Sequence, residues 1–361
     1  MTIKTMSKDM NEKVSIISAV YQVKPYLPQF LDSILAQSFW DWKLYLVDDG
    51  STDGGGALCD DYAARDERIV VMHQKNQGLA MARQHALNRC TGEYVYFADS
   101  DDWLEPNLLQ RMVETLEQQQ SDVIIIDYYR NTTNEQTCHQ SHGPQIENLN
   151  THEALLNIYC DRIPCYMWTY MMKRTIPQER IYNDIYEDHS TILKWMSHAQ
   201  KVTLLHEPLY HYRQRAGSIL HSISSIRANT TLFKVVLDRY DFLRENHLLE
   251  DQKKKVDAYT VHIFLKLCKD ISRSNASFHE KMKSVHDIRR AIKAFPWYSP
   301  MSLGTKYYLR QCLMRMSPKL FVHAVDGTSL FSKPLPKLKQ ELSWRSKKPV
   351  KAAHKIVPGV E

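Results

Sequence analysis

Long apolar runs are missing from this chain. Nowhere in its 361 residues do roughly eighteen apolar residues follow one another, so no membrane-crossing helix is expected. The opening stretch, Met1 to Lys13, is polar and mixed in charge, without the apolar centre of a signal peptide, and a cytoplasmic protein is the expectation. Cysteine follows no framework: Cys59, Cys90, Cys138, Cys160, Cys165, Cys268 and Cys312 are odd in number and contain no Cys-x-x-Cys. That argues against a disulfide scaffold and against a zinc ribbon. Glycine is scarce as well, with 11 residues and no G-x-G-x-x-G among them. Gly54-Gly55-Gly56 follows a strand pattern but lacks the Gly-Lys-Ser/Thr ending of a phosphate loop, so it reads as a flexible turn. The absence of G-x-S-x-G leaves an α/β-hydrolase unsupported.

Acidic residues are absent from one long segment. Between Ile288 and Val325 there is none, while Arg289, Arg290, Lys293, Lys306, Arg310, Arg315 and Lys319 recur among Phe295, Trp297, Tyr298, Tyr307, Tyr308, Leu309, Leu313 and Phe321. The chain is divided in charge: residues 1–250 carry 24 Lys and Arg against 33 Asp and Glu, and residues 251–361 carry 23 against 8. A basic, aromatic segment suits an anionic lipid surface, and peripheral attachment to the inner face of the membrane is expected. The alternative is that these helices pack on the acidic front of the chain, which would attract them. The aromatic interleaving and the lack of a nucleic-acid motif make a nucleic-acid partner the weaker reading.

What is present is an alternation of two periods. Val14 to Val20 is a β-branched run, Leu27, Phe30, Leu31, Ile34 and Leu35 recur at helical spacing, and Lys43 to Val47 is a second strand. Helix, strand, helix and strand follow at Leu58 to Ala63, Ile69 to Met72, Leu79 to Cys90 and Tyr94 to Phe97. Such alternation predicts an α/β fold with a mostly parallel sheet, whose ligands bind beyond the carboxyl ends of the strands. A helix over Leu108 to Gln119, an apolar strand over Asp122 to Tyr129, a polar loop over 131–150, a helix from Thr151 to Asp161 and an aromatic segment from Cys165 to Arg174 continue the pattern. From Thr230 onward only helical spacing is seen, and residues 331–361, with a proline break and a basic end, are expected to be disordered.

Two acidic groups stand out. Tyr94 to Phe97 leads into Asp99-Ser100-Asp101-Asp102, three carboxylates within four positions, which repel one another unless a cation offsets them. Hard divalent ions such as Mg²⁺ or Mn²⁺ prefer oxygen ligands and keep positions open for phosphates. The same residues also read as an acidic turn whose last aspartate caps the next helix. Glu187-Asp188-His189 opens another apolar-periodic helix, where acids are favoured by the helix dipole; a carboxylate there could equally serve as a general base. Cys138, His139 and His142 lie close together without a fourth ligand nearby, a weak metal pattern.

The blocks Val14-Ser15-Ile16-Ile17 with Val20-Tyr21, Ser33 to Ser38, Val47-Asp48-Asp49-Gly50-Ser51-Thr52-Asp53, Asn76-Gln77-Gly78-Leu79 with Ala82-Arg83, Thr91-Gly92-Glu93-Tyr94 and Asp99-Ser100-Asp101-Asp102-Trp103 resemble, in order and spacing, the family 2 glycosyltransferases of GT-A fold. The resemblance covers about residues 14–220 and favours the metal reading of the aspartate cluster. It implies an inverting enzyme of the bacterial polysaccharide or lipopolysaccharide type that takes a nucleotide sugar, such as a UDP-linked hexose or N-acetylhexosamine, to a glycan or lipid-linked acceptor. Val20 and Tyr21 would line the nucleobase and Asp49 would bond to it; Arg83 would reach the diphosphate; Asp99, Ser100 and Asp102 would border the donor. Asp99 and Asp101 would hold Mn²⁺ or Mg²⁺, Asp188 would be the general base, and the segment carrying His211 and Arg213 would act as a lid. The chain departs from the family at Ala19, Gln22, Gln84 and Ala86, positions that bear on sugar and base preference. The expected organisation is a tail over 1–13, a catalytic domain over 14–225, a helical basic region over 226–330 and a basic tail over 331–361. The other function considered is a catalytically silent subunit of the same fold that binds a nucleotide sugar or a glycan.

Overall fold

Strands that are apolar on both faces must be covered on both, and the first half of this chain is built that way. The structure is a computed structural model that describes residues 12–326, except 133–134, 140–143, 183–184, 216–224, 250–251, 299–302 and 304. The expected terminal tail over 331–361 lies outside the described residues. Strands β1 (Val14–Val20), β2 (Trp42–Asp48), β3 (Ile69–His73) and β4 (Tyr94–Phe97) are joined through helices α1 (Leu27–Leu35), α2 (Gly55–Ala63) and α3 (Leu79–Leu87). They pair in parallel in the order β3-β2-β1-β4, with Val14 opposite both Trp42 and Tyr94. Successive residues of these strands face opposite cores. Ile17, Val47, Val95 and Phe97 enter one, while Val14, Ile16, Leu44, Leu46 and Tyr96 enter the other with Phe30, Leu31 and Ile34 of α1.

The sheet continues through β9 (Tyr170–Lys173), which runs antiparallel to both β4 and β6 (Val123–Asn131). Beyond β6 lies β10 (Lys201–Arg213), parallel to it, and the two-residue β5 (Trp103–Leu104) closes that edge. The register between β6 and β10 shifts on both sides of Pro208. Proline has no N–H to give to a ladder, so a bulge is where it fits. Helix α4 (Leu108–Gln119) packs on β6 and β10, whereas α5 (Thr151–Tyr159) and α6 (Glu187–Met196) cover the other face. Phe97 of β4 stacks on Trp195 of α6 at 5.8 Å.

The polar stretch 131–150 differs from the expected loop: it contains β7 (Gln136–His139), paired to β6, and β8 (Ile146–Asn150), paired to β10. All four residues of β7 are exposed, so no apolar alternation marks it, and it is held mainly by its backbone pairing to β6. His139 stacks on Tyr128 at 4.7 Å instead of joining a metal trio, and His142 lies outside the described residues.

Helices α7 (Ser225–Glu245), α8 (Lys253–Ser272), α9 (Phe278–Lys293), α10 (Thr305–Met316) and α11 (Pro318–Asp326) follow. Their buried side chains, among them Phe233, Phe264, Ile288, Ile292, Met314 and Phe321, belong to the same hydrophobic core as Ile17, Phe97 and Trp195. Arg310 and Arg315 also turn inward: Arg310 is 1% exposed, and Arg315 donates to the carbonyls of Ile292, Phe295 and Pro296. The acid-free segment therefore packs on the helices that precede it, α10 and α11 lying on α8 and α9, and fewer cations face outward than its composition implies. No helix among the described residues is long and apolar enough to cross a membrane.

Candidate active site

The parallel strands β1, β2 and β4 end side by side, so the residues following each form one rim. Val20 is opposite Asp48, and Ala98 N–H donates to Ile17 O at 3.0 Å. Tyr21 is half exposed on this rim, a ring free to meet a ligand, but Val20, expected to line the nucleobase, has no exposed surface, and its carbonyl accepts from Asp49 N at 2.9 Å, so it supports the rim from beneath. Ser100, expected beside the donor, is buried and donates its hydroxyl to Ala19 O at 2.7 Å. It ties the aspartate loop to the end of β1.

The two aspartates closing β2 have different tasks. Burial raises the Asp48 pKa, yet hydrogen bonds from Ser51 and His73 outweigh it, and the net shift is downward. A Cβ on Gly56 would sit 2.5 Å from Asp48 Oδ2, so this residue of the triple-glycine turn must remain small. Asp49 is 2% exposed and accepts from Gln77 N and Gly78 N at 2.8 Å each and from Gln74 Nε2 at 2.8 Å. Its carboxylate thus shapes the loop that starts α3, where Gly78 has φ of 90°. Only a residue without Cβ takes that angle without strain.

Arg83, on α3, is the hinge of the arrangement. Its guanidinium is 4% exposed and bridges Asp99 Oδ1 at 2.5 Å and Glu187 Oε1 at 2.7 Å. One cation thereby joins the loop after β4 to the first turn of α6, and it keeps Asp188 within electrostatic reach of Asp99. Burial raises the Asp188 pKa well into the range above ordinary carboxylates, opposed by the His189 N–H that bonds its Oδ1 at 2.8 Å and by Arg83. Glu187 is raised further, first by burial and then by the charge of Asp188. His189 is driven down to about 4 by burial and by Arg239, so it is a neutral imidazole at pH 7. Arg239, on α7, lies against His189 at 3.4 Å and donates to Ile158 O at 2.7 Å. The helical region therefore supports the helix that carries Asp188.

Asp99 and Asp101 remain 29% and 23% exposed, each with one oxygen on an arginine: Asp99 on Arg83, Asp101 Oδ2 on Arg215 at 2.7 Å. Among the described residues Asp99 Oδ2 and Asp101 Oδ1 have no partner and could meet a cation. Burial and the neighbouring Asp101 raise the Asp99 pKa even against Arg83, which is the electrostatic strain that a divalent ion relieves. Among the described residues no three His, Cys, Asp or Glu form a closed cage. A magnesium-type ion does not need one, because it takes one or two carboxylates and completes its shell with water and phosphate oxygens. The residues fit such an ion.

Two expectations are corrected. Asp102 has no exposed surface, so it cannot touch a donor; Oδ2 accepts from Tyr210 Oη at 2.8 Å and Oδ1 from Arg213 N at 2.7 Å. It anchors the end of β10 under the aspartate loop, and Tyr210 in turn accepts from Asp99 N at 3.0 Å. His211 is not a lid residue either. It is buried within β10, stacked between Trp103 at 4.7 Å and Tyr129 at 4.8 Å, with Nε2 on Glu105 at 2.7 Å. Arg213 bonds Asp101 O and Gln29 and lies over the rings of Tyr26 and Trp103, a fixed contact of the aspartate loop. Sequence reading missed Arg215 and Arg239 and took Tyr210 as part of the lid segment; the roles of all three arise only when distant segments meet. Arg215 alone left a trace, since it alternates with Arg213 at a strand end.

A parallel sheet with acidic loops at its carboxyl rim, a helix-borne carboxylate opposite them and a buried arginine between defines a nucleotide-sugar transferase architecture, the GT-A fold. Residues 15–179 match the family model described as Glycosyl transferase family 2, and the chain carries a family 2 domain of that fold. The uncharacterized glycosyltransferase EpsJ of Bacillus subtilis is 32% identical over 217 residues, 57% of this chain and 62% of that protein. Glycosyltransferase GlyG of Streptococcus pneumoniae is 28% identical over 227 residues, 59% of this chain and 74% of that one. The match to EpsJ thus spans about three fifths of that relative's length. Among solved structures, S. aureus TarS 1-349 in complex with UDP-GlcNAc superposes with a TM-score of 0.65 at 18% identity, covering 87% of this chain and 90% of that one. That likeness is one of fold.

Proposed function

We propose that this chain is an inverting glycosyltransferase that moves a sugar from a nucleotide-sugar donor, a UDP-linked hexose or N-acetylhexosamine, to a hydroxyl of a growing glycan or lipid-linked oligosaccharide in surface polysaccharide synthesis. The observation that carries this reading is the Arg83 bridge, which gathers the Asp99 loop and the Glu187-Asp188 turn around one site. The UDP-GlcNAc bound by TarS supports the donor class. Tyr21 would meet the nucleobase, with Asp49 ordering the neighbouring loop.

Asp99 and Asp101 would hold Mn²⁺ or Mg²⁺, which supplies positive charge for the diphosphate leaving group. Asp188 accepts the proton of the acceptor hydroxyl as that oxygen bonds to the anomeric carbon. The bond from this carbon to the diphosphate oxygen breaks, its electron pair leaving with the nucleotide. A single displacement inverts the anomeric centre, and the raised pKa of Asp188 brings its basicity nearer to neutral pH. Arg83 compensates the carboxylates around the site and does not itself face solvent.

A silent sugar-binding subunit would have no need of a desolvated carboxylate such as Asp188 facing the aspartate loop. The discriminating experiment is a panel of nucleotide sugars incubated with the full chain and Mn²⁺ or Mg²⁺, with release of free nucleotide as the readout. Turnover of one donor class, abolished by chelation, is expected. Binding of a donor without any release, with and without acceptor glycans, would favour the silent subunit.

A further inference from the structure

Helix α10 buries polar side chains beside the apolar Met314 and leaves apolar ones outside. Arg310 and Gln311 of α10 are buried, 1% and 0% exposed, with Gln311 Nε2 donating to Tyr298 O at 3.2 Å. On the opposite face Leu309 is 48% and Met316 74% exposed, with Cys312 and Leu313 half-buried between them, and Leu320 of α11 adds another 57% exposed apolar chain. The spacing from Leu309 to Met316 is two helical turns, so these side chains form one stripe. Trp297, 57% exposed, is held against α10 by Arg315, whose guanidinium lies 4.5 Å from the centre of its ring. A contiguous apolar stripe of this size on a water-facing surface marks an interaction site.

The surroundings decide among occupants. Arg290, Lys293 and Lys319 are exposed on the same segment, and no acidic residue occurs from Ile288 to Val325. A second copy of this chain meeting it through the same face would bring the same sign of charge to the contact, whereas an anionic lipid surface brings the opposite one. We infer that the face formed by Trp297, Leu309, Met316 and Leu320, with Lys293 and Lys319 beside it, docks on an anionic membrane, apolar side chains among the acyl chains and cations at the headgroups. The inference rests on the glycosyltransferase reading only for what the membrane offers, a lipid-linked acceptor; the docking itself is independent of the reaction. It also replaces attraction by seven cations with a mixed contact, since Arg310 and Arg315 turn inward.

The test uses the full chain and vesicles of phosphatidylcholine with and without one quarter phosphatidylglycerol. Wild type is expected to sediment with the anionic vesicles and weakly with the neutral ones. Each headgroup-facing cation contributes roughly a fivefold increase in partitioning at low salt. The variant Leu309→Glu/Met316→Glu/Leu320→Glu should lose binding by at least about tenfold, and Lys293→Gln/Lys319→Gln should lose it in a salt-dependent way. Both should melt with wild type and release nucleotide from donor unchanged, because none of these residues lies in the site. Equal sedimentation of wild type and the triple glutamate variant overturns the proposal. So does failure of the wild type to bind anionic vesicles, and so does a dimer seen by light scattering that the glutamates dissociate without any effect on vesicles. If donor release is absent while vesicle docking follows the pattern above, the reaction reading fails and the surface stands.

Discussion

Replacing Arg83 by methionine keeps the length of the side chain and removes its charge. In the native chain the guanidinium is 4% exposed and pairs with Asp99 at 2.5 Å and Glu187 at 2.7 Å. Breaking a buried ion pair by deleting one partner costs about 3–5 kcal/mol, because the remaining charge stays out of water unpaired. A chain of this size loses roughly 2 °C of Tm per kcal/mol, so the melting temperature should fall by roughly 6–10 °C near neutral pH. The size of the fall depends on pH, and its sign follows from Glu187 and Asp99, whose pKa values burial already raises and Arg83 holds down. For an acid whose folded pKa lies above its unfolded value, stability is full below the unfolded pKa, about 4 for a carboxyl, and is lost as pH rises through the folded pKa. The variant pushes both folded values higher still, so its deficit should be greatest at pH 8 and shrink toward pH 5, where protonation relieves the unpaired charges. Thermal or urea unfolding followed by circular dichroism from pH 5 to 8 reads this directly. A deficit that is constant across that range, or absent, would refute the bridging role.

Asp101→Asn should raise the Mn²⁺ concentration needed for half-maximal nucleotide release by at least about tenfold while leaving the fold intact, since it removes one of two carboxylates offered to a small hard cation; unchanged metal titration would remove Asp101 from the site. His211→Ala should lower stability by about 2 kcal/mol through loss of two ring stacks and a hydrogen bond, with KM for donor unchanged; a selective effect on donor KM would restore the lid reading. Truncation after Asp287 should yield insoluble or strongly destabilised protein, because Ile288, Ile292, Met314 and Phe321 are buried in the core shared with β1, β4 and α6. A soluble product with native near-ultraviolet circular dichroism would contradict that shared core.

The parallel half of the sheet was legible because strands buried on both faces leave runs that are mostly apolar, as Val14 to Val20, broken only by Ser15 and Ser18, and Tyr94 to Phe97 do. The acid-bearing loops were legible for a related reason: charge placed directly after such a run stands out. What stayed hidden depends on partners far apart in sequence. Asp102 reads like its neighbours, yet a tyrosine and a backbone amide more than a hundred residues away make it a buried anchor. His211 has the look of a mobile polar residue, and only the adjacent strands show that Glu105 and two aromatic rings satisfy it inside the sheet. Strand β7 carries no apolar alternation at all. Counting cations in the acid-free segment overstated its reach toward a membrane, because a sequence cannot tell an arginine that faces lipid from one that satisfies the carbonyls at the end of a helix, as Arg315 does.

The account depends most on Asp188 as the group that takes the acceptor's proton. Its carboxylate is bonded to the neighbouring His189 N–H and forms no ion pair among the described residues, so Asp188→Asn preserves shape and that hydrogen bond while removing basicity. Transfer by wild type and Asp188→Asn should be measured with the donor selected by the nucleotide-sugar panel, alongside donor affinity by calorimetry. The expected result is a fall in kcat of about 10²–10⁴ with donor Kd and Tm unchanged. A variant that turns over at the wild-type rate and melts lower would make Asp188 a helix cap and would contradict the proposed reaction at its central step.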